Sequence, residues 1–498
     1  MKTKYILAID QGTTGSRALI FDSHGKIISS HYEEFQQYFP QPGWVEHDAD
    51  EIWNSCVNCI NQALHQAKIS SREISAIGIT NQRETTILWD RKTSKPVAPA
   101  IVWQCRRTAA MCQEKFLQSK KDLFQRKTGL VLDAYFSGTK IKWLFDHLPG
   151  LRRRAQRKEI CFGTIDSWLI WKLTGGVSHA TDFTNASRTL IFNIKTLKWD
   201  EELLEILDIP KEILPKAQAS GSIFGMTHEG IAGLSSGIPI AAVMGDQQAA
   251  LYGQGCHHVG TMKNTYGTGG FLVLNTGKKL IYSRDGLLST IACDETGRPV
   301  YALEGSIFIA GAVIQWIRDQ LKIIERSADS EKMIQGLENT DGVYFVPAFT
   351  GLGAPYWKGD ARGIICGLTR GSNQQHITRA ALESIAYQTK DVFDLMQKSF
   401  KFKKQPVKIL KVDGGACRNN FLMQFQADML NCQIIRAKQI ESTAQGAAHL
   451  AGVTIGLWEK EDLEKFRRED RIFKPSLPKA SREILYEGWL KAVSRAML

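Results

Sequence analysis

The first ninety residues alternate between short apolar runs and polar turns. Residues 5–9 are apolar, the run Asp10-Gln11-Gly12-Thr13-Thr14-Gly15-Ser16-Arg17 is polar, and residues 18–21 are apolar again. Two apolar runs too short for helices, joined by a glycine-containing polar turn, predict strand, tight turn, strand. Residues 51–64 carry a helical pattern. Residues 77–79 read as a short buried strand whose C-terminal end delivers Asn81, Gln82, Arg83 and Glu84, and β structure resumes at 86–89. From there to about residue 175 the pattern predicts mostly helices, among them 165–173 and one with Trp143 and Leu144 on its apolar face.

The second half repeats the opening in outline. Residues 239–244 form a buried strand ending at Gly245-Asp246, with a helix over 247–253. Strand 262–266, the turn Gly267-Thr268-Gly269-Gly270 and strand 271–274 give a second hairpin. A helix is predicted over 306–321, with Gly311 and Gln315, four apart, on one face. An apolar strand at 407–412 ends in Asp413-Gly414-Gly415-Ala416 and is followed by Asn419-Asn420 and an amphipathic helix. Residues 363–368 and 376–383 read as strand, loop, helix, and Glu441-Ser442-Thr443-Ala444-Gln445-Gly446-Ala447-Ala448 opens a helix of small residues suited to close packing. The pattern is of two α/β halves, with domains expected at 1–252 and 253–498.

Composition narrows the classes. At 498 residues the chain exceeds what one core usually serves, and its 43% hydrophobic and 23% charged residues are ordinary for a soluble globular protein. No apolar run reaches the roughly 20 residues that span a bilayer, and the start passes directly into a strand, so a cytoplasmic protein is expected. Ten cysteines are scattered without a framework, which fits reduced thiols. Cys56-Val57-Asn58-Cys59 lies in a helical pattern with no second pair at zinc-ligand spacing and reads as ordinary thiols. The formal charge is +12, but its basic clusters at 152–158, 401–408 and 465–468 lie far apart and lack the aromatic interleaving that stacks bases. A general attraction for anionic small molecules, and no nucleic acid, is the expectation.

The chemistry is concentrated at turns. Gly12 and Gly15 permit positive φ, and the threonines and serine beside them supply donors for an oxyanion. A carboxylate such as Asp10 beside phosphate oxygens would repel them unless a cation such as Mg²⁺ lies between. Two such hairpins facing each other would clamp a polyphosphate from both sides. Asp246, between a buried strand and a helix start, suits a general base and equally a helix N-cap. Arg83 and Glu84 could read vicinal hydroxyls or form a surface ion pair. Trp103, Tyr135 and Phe271 could wall a small polyol or simply fill a core. No Walker sequence and no protein kinase loop is present.

Four stretches carry a resemblance: Asp10-Gln11-Gly12-Thr13-Thr14, Thr80-Asn81-Gln82-Arg83-Glu84-Thr85-Thr86, Trp103-Gln104-Cys105-Arg106-Arg107 and Gly245-Asp246-Gln247-Gln248. With Tyr135-Phe136-Ser137-Gly138-Thr139-Lys140-Ile141-Lys142-Trp143, their order and spacing resemble the FGGY carbohydrate kinases of the actin-like ATPase superfamily. Within that family the chain is most similar to members that phosphorylate glycerol, from about Lys4 to the C-terminal helix. The resemblance implies an α/β fold of two actin-like (ribonuclease H-like) domains, with mixed sheets flanked by helices and the active site in the interdomain cleft. It implies Mg-ATP-dependent phosphorylation of glycerol to sn-glycerol 3-phosphate with Asp246 as base. Arg83, Glu84, Tyr135, Asp246 and Gln247 would hydrogen-bond glycerol, and Trp103 and Phe271 would pack against it. Thr13, Thr14, Gly15, Arg17, Gly267, Thr268, Gly311, Gln315, Gly415 and Asn419 would hold ATP, and Asp10 would hold Mg²⁺ through water.

A homodimer or homotetramer is usual among such enzymes, and closure of the two domains is the physical way to exclude water as a competing nucleophile. The chain departs from the family at Gln445, where leucine is more common. Its stretch 227–237 also lacks the arginine through which some bacterial relatives bind fructose 1,6-bisphosphate. Two other readings stay open: a kinase for another polyol or sugar, and a non-catalytic actin-like nucleotide-binding regulator. The contexts of Arg83-Glu84 and Trp103 disfavour the first, and retention of Asp10, Asp246 and both hairpins disfavours the second.

Overall fold

The computed structural model describes residues 4–283, 286–400, 407–439 and 441–498, so most of the basic stretch 401–408 lies outside the described residues. The chain divides into two compact units. The first holds Met1–His257 with Ser289–Tyr301 and Ser442–Phe466; the second holds His258–Leu288, Ala302–Glu441 and Arg467–Leu498.

The sheet of the first unit runs in the order Gly225–Met226, Pro239–Gly245, Ile74–Asn81, Tyr5–Gln11, Gly15–Phe21, Ile27–Glu34. The three central strands are parallel, and the strands outside them are antiparallel. Parallel strands must be covered on both faces, which is why these strands are apolar nearly throughout. Leu7, Ile9, Ile77, Ile79 and Val243 share one core with Ile52, Cys56 and Ile60 of the helix Ala49–Ala67 and with Ile165, Trp168 and Leu169 of the helix Ile165–Leu173. The alternate residues Ile6, Ala8, Ala76, Ala242 and Met244 face Ala444, Ala448 and Ala451 of the helix Ser442–Thr454. Asp48 caps the first of these helices by accepting from the amides of Asp50 and Glu51.

From the strand Pro299–Ile307 onward, the second, seven-stranded sheet repeats the plan in the order Pro299–Ile307, Gly270–Gly277, Met262–Tyr266, Ile409–Asp413, Gln433–Ala437, Glu469–Phe473. Here too a hairpin lies beside parallel strands, with an antiparallel strand at the far edge. Its core gathers Met262, Leu272 and Leu410 with Ile385, Val392 and Phe393 of the long helix Gln374–Phe400. Both units are therefore mixed α/β sheets flanked by helices.

Several expectations are corrected. The predicted helix 306–321 is shorter, Gly311–Asp319, because Ser306 and Ile307 finish the strand Pro299–Ile307. The helical stretch before residue 175 also contains the strand Ile160–Gly163, which pairs antiparallel with Ile87–Asp90. Neither Gly12 nor Gly15 has a positive φ. Gly15 is instead required by crowding, since a Cβ there would lie 2.6 Å from the Glu33 carbonyl oxygen and 2.6 Å from the Tyr32 ring.

The two thiols of the Cys-x-x-Cys are buried. Cys56 Sγ lies 3.3 Å from Ser16 Oγ and Cys59 Sγ lies 3.2 Å from the Ser16 carbonyl oxygen, and burial pushes both thiols up to about 12. Such thiols are core residues and poor nucleophiles. The exposed basic clusters are partly satisfied: Arg154 pairs with Asp90 at 2.5 Å and Lys465 with Asp462 at 3.1 Å.

Small residues on Ser442–Thr454 permit the close packing anticipated from their sequence. A Cβ on Gly446 would strike the Ala249 carbonyl of the helix Asp246–Gly253, and one on Gly78 would strike the Ala447 carbonyl. These are backbone atoms that no rotamer change can move aside. Gly446→Ala should therefore lower stability by about 1–3 kcal/mol, read as a lower midpoint in thermal or urea unfolding. An unchanged midpoint would contradict this packing.

Candidate functional site

The parallel strands of the first unit end level with one another. Asp10 stands opposite Thr80, which stands opposite Met244; one residue on, Gln11 meets Asn81 and Asn81 meets Gly245. The next residues along each strand therefore emerge together: the turn at Gly12, the segment Gln82 to Glu84, and Asp246. Ends of parallel strands are where open α/β sheets present ligand-binding groups.

Buried amides fix this edge. Gln82 Nε2 donates to Gln11 Oε1 at 3.1 Å and to the Gly12 carbonyl at 3.0 Å, and Gln82 N donates to the Gln11 carbonyl at 2.7 Å. The turn is closed by Gly12 N donating to the Gly15 carbonyl at 2.9 Å. Thr13 and Arg17 are half-buried and Thr14 is exposed. Asp10, also half-buried, stands directly opposite Arg17 on the hairpin. Trp103 reaches the turn, its indole N–H donating to Thr13 Oγ1 at 2.9 Å, while its ring meets Tyr135 edge-on at 5.6 Å.

Asp246 is the first residue of its helix, not the cap, which is Gly245. Its Oδ1 accepts from Gln247 N at 2.7 Å and lies 3.0 Å from Arg83 Nε. Its side chain is 31% exposed while that of Arg83 is 2% exposed. The arginine is thus held in the fold, and the carboxylate remains accessible to a reactant. Arg83 Nη1 also donates to Gln248 Oε1 at 3.2 Å. Glu84 is buried, with φ of 61°, so it and Arg83 do not form a surface ion pair. Tyr135 and Gln247 are also buried.

In the second unit the glycines act by close approach. Ala310 N and Ala312 N donate to the Thr268 carbonyl at 2.8 and 3.1 Å, and Gly311 N donates to the Gly267 carbonyl at 2.9 Å. This stitches the hairpin turn to the start of the helix Gly311–Asp319, and a Cβ on Gly311 would lie 2.6 Å from the Gly267 oxygen. Gly414 has φ of 87° and sits against the Tyr266 backbone, where a Cβ would approach the carbonyl oxygen to 2.5 Å. Gly267, Thr268, Gln315 and Gly415 are exposed, and Asn419 caps the helix Asn420–Leu430 by accepting from Leu422 N at 2.8 Å. Phe271 is half-buried and opposite Thr265, in this unit, whereas the other anticipated polyol residues are in the first.

Sequence reasoning missed three positions at the first unit's site. Arg188, fully buried, donates through Nε to Glu84 Oε1 at 2.6 Å. Lys140, also buried, donates through Nζ to the carbonyls of Ala134, Tyr135 and Phe136 at 2.7, 2.6 and 3.3 Å. Burial lowers this ammonium to about 8. Asn185 exchanges side-chain hydrogen bonds with Asn81 at 3.0 and 3.2 Å and donates to Asp182 Oδ1 at 2.9 Å. Behind them burial, and then Asp182, pushes Asp166 up to about 7. For Asn185 and Arg188 the signal in the sequence is the polar run from Thr181 to Thr189, and Lys140 lies within the stretch from Tyr135 to Trp143.

Known proteins align with the whole chain. Residues 5–253 match the N-terminal domain, and residues 262–455 the C-terminal domain, of the FGGY family of carbohydrate kinases. The chain is 54% identical over 496 residues to glycerol kinase of Alkaliphilus oremlandii, covering 99% of this chain and 97% of that one. It is 55% identical over 495 residues to glycerol kinase of Caldanaerobacter subterraneus, covering 99% of each. Among solved structures, glycerol kinase of Plasmodium falciparum with ADP superposes with a TM-score of 0.92 at 37% identity, covering 100% of this chain and 99% of that one. Gluconate kinase of Lactobacillus acidophilus shares the fold, with a TM-score of 0.88 at 24% identity, over 99% of this chain and 98% of that one.

The Trp103 contact predicts how firmly the first turn is held. Trp103→Phe keeps an aromatic ring beside Tyr135 but removes the donor to Thr13. Amide hydrogen exchange over residues 12–15 should then quicken about tenfold, the equivalent of one hydrogen bond, with the strand before it unchanged. Unaltered exchange in the turn would show that the indole does not hold it.

Proposed function

The chain belongs to the FGGY family of carbohydrate kinases, and within it we propose that it transfers the γ-phosphoryl group of ATP to glycerol. The observation that carries the substrate assignment is identity of 54–55% to glycerol kinases across 99% of the chain. The geometry supports the assignment of roles. Phosphoryl transfer needs little covalent help from protein, and depends on positioning and on charge stabilisation.

Asp246 is the base that takes the proton of the attacking hydroxyl. Its pairing with Arg83 at 3.0 Å orients the carboxylate, and its partial exposure leaves it open to a substrate. Arg83, Glu84, Tyr135 and Gln247 hydrogen-bond the triol, and Trp103 and Phe271 pack against its carbon chain. The product is sn-glycerol 3-phosphate. Thr13, Thr14, Gly15 and Arg17, with Gly267 and Thr268, hold the phosphates; Gly311, Gln315, Gly415 and Asn419 hold the adenosine end. In this reading the domain 1–252 serves polyol and phosphate and the domain 253–498 the nucleotide, with Gly267, Thr268 and Phe271 contributed to the phosphates and polyol from the latter.

Asp10 would hold Mg²⁺ through water. Its half-buried carboxylate at the strand end, beside a donor-rich turn, fits an ion that keeps much of its hydration and takes few protein ligands. When bound, the ion neutralises charge on the transferring phosphoryl group. Among the described residues no helix is long and apolar enough to cross a membrane. A cytoplasmic location and assembly as a homodimer or homotetramer complete the reading and rest on the family resemblance.

ADP release measured with glycerol, dihydroxyacetone, erythritol, xylulose and gluconate should be fastest with glycerol. A preference for any other acceptor overturns the substrate assignment. Asp246→Asn should lower kcat by about 100-fold or more and leave nucleotide binding unchanged; persistent turnover would remove Asp246 as base.

A further inference from the structure

Glu84 is a buried carboxylate with two arginines near it. Its side chain is 2% exposed, and its carbonyl accepts from Ser137 Oγ at 2.9 Å and Thr86 Oγ1 at 3.1 Å, which holds the backbone at its positive φ. A carboxylate so buried must be paired, or its charge is expensive. Arg83, its neighbour in sequence, brings Nε only to 4.0 Å of Oε1. The same Nε is 3.0 Å from Asp246 Oδ1. Arg188 makes the close contact with Glu84, at 2.6 Å.

Arg188 also lies against the rings above it. Its guanidinium carbon is 5.6 Å from the centre of Tyr135 and 5.4 Å from that of Phe136, within range of a cation–π contact. One side chain therefore touches both Glu84 and Tyr135, and a planar guanidinium can do this in a way a lysine ammonium cannot.

We propose that Arg188 is a positioning residue for substrate selection: by claiming Glu84 it leaves Arg83 to Asp246, and so sets both the hydroxyl-reading carboxylate and the base. The inference rests on the proposed polyol reading of this site. Two arginines and two carboxylates could pair in more than one way, and Arg188 decides the pairing. Without it, the Glu84 carboxylate would draw Arg83 away from Asp246. Recognition of hydroxyls and orientation of the base would then fail together.

Steady-state kinetics of the full chain test this with Arg188→Met, Arg188→Lys, Glu84→Gln and the double variant Arg188→Met/Glu84→Gln. The acceptors are glycerol and 1,2-propanediol, which lacks one hydroxyl. Arg188→Met should lower kcat/KM for glycerol about 100-fold, with KM for ATP little changed. The ratio of kcat/KM for glycerol to that for 1,2-propanediol should fall about tenfold or more, because a displaced Glu84 no longer penalises a missing hydroxyl. Adding Arg188→Met to Glu84→Gln should cost no more than about threefold further, as expected of residues that act as a unit. Arg188→Lys should show the same loss of selectivity to a smaller degree, and it carries the test if the methionine variant does not fold.

Losses that multiply independently in the double variant would overturn the proposal, as would an unchanged glycerol-to-propanediol ratio. If wild type prefers another polyol, the glycerol assignment fails; the double-variant cycle run with that polyol then supports or overturns the pairing on its own.

Discussion

The level ending of three parallel strands is the constraint on which the first unit's site depends. Register in a sheet buried on both faces is not adjustable, because a slip of one residue would carry every apolar side chain to the opposite face. Leu7 and Ile9 pack with the helix Ala49–Ala67 only if Ile6 and Ala8 face the helix Ser442–Thr454. That alternation brings Asp10, Thr80 and Met244 level, and the residues just beyond them emerge at one edge. The polar groups need no separate scaffold. They sit where apolar strands must end, and buried amides such as Gln82 and Asn185 keep the turns from drifting.

The second unit also sets a hairpin beside parallel strands, but its strand ends differ. Its ends carry exposed glycines and small polar residues, Gly267, Thr268 and Gly415, in place of buried charge. Glycine there brings backbone close to backbone: Gly311 to Gly267 and Gly414 to Tyr266. A backbone surface of this kind offers amide donors and room for a flat ring or phosphate, which suits a nucleotide. The first unit buries Arg83, Glu84 and Arg188 together, a charged lining that supports the proposed reading of hydroxyls. The unit topology is shared, and the chemistry differs because of which residues the strand ends deliver.

Much of this was legible in the sequence because it is local. Strand, turn and strand at both hairpins, the helix Ile165–Leu173 and the strand-to-helix junction at Asp246 all follow from runs of a few residues. Arg188 was not legible, since its partner Glu84 is 104 residues away and a lone arginine after a polar run carries no mark of burial. Ser306 and Ile307 were assigned to a helix because an apolar stretch reads either way until a ladder partner claims it. Gly12 and Gly15 were expected for their torsional freedom, whereas Gly15 answers to crowding by Tyr32 and Glu33, which only the third strand creates.

The central claim is that level strand ends give two aspartates separate tasks, Asp10 at the metal and Asp246 at the hydroxyl. The Mg²⁺ dependence of ATP binding, titrated calorimetrically in Asp10→Asn and Asp246→Asn, tests this most directly. Asp10→Asn should weaken Mg-ATP about tenfold relative to free ATP, the scale of a perturbed metal site, while Asp246→Asn leaves the Mg²⁺ dependence unchanged. Equal effects in the two variants, or the reverse order, would contradict the separation of roles.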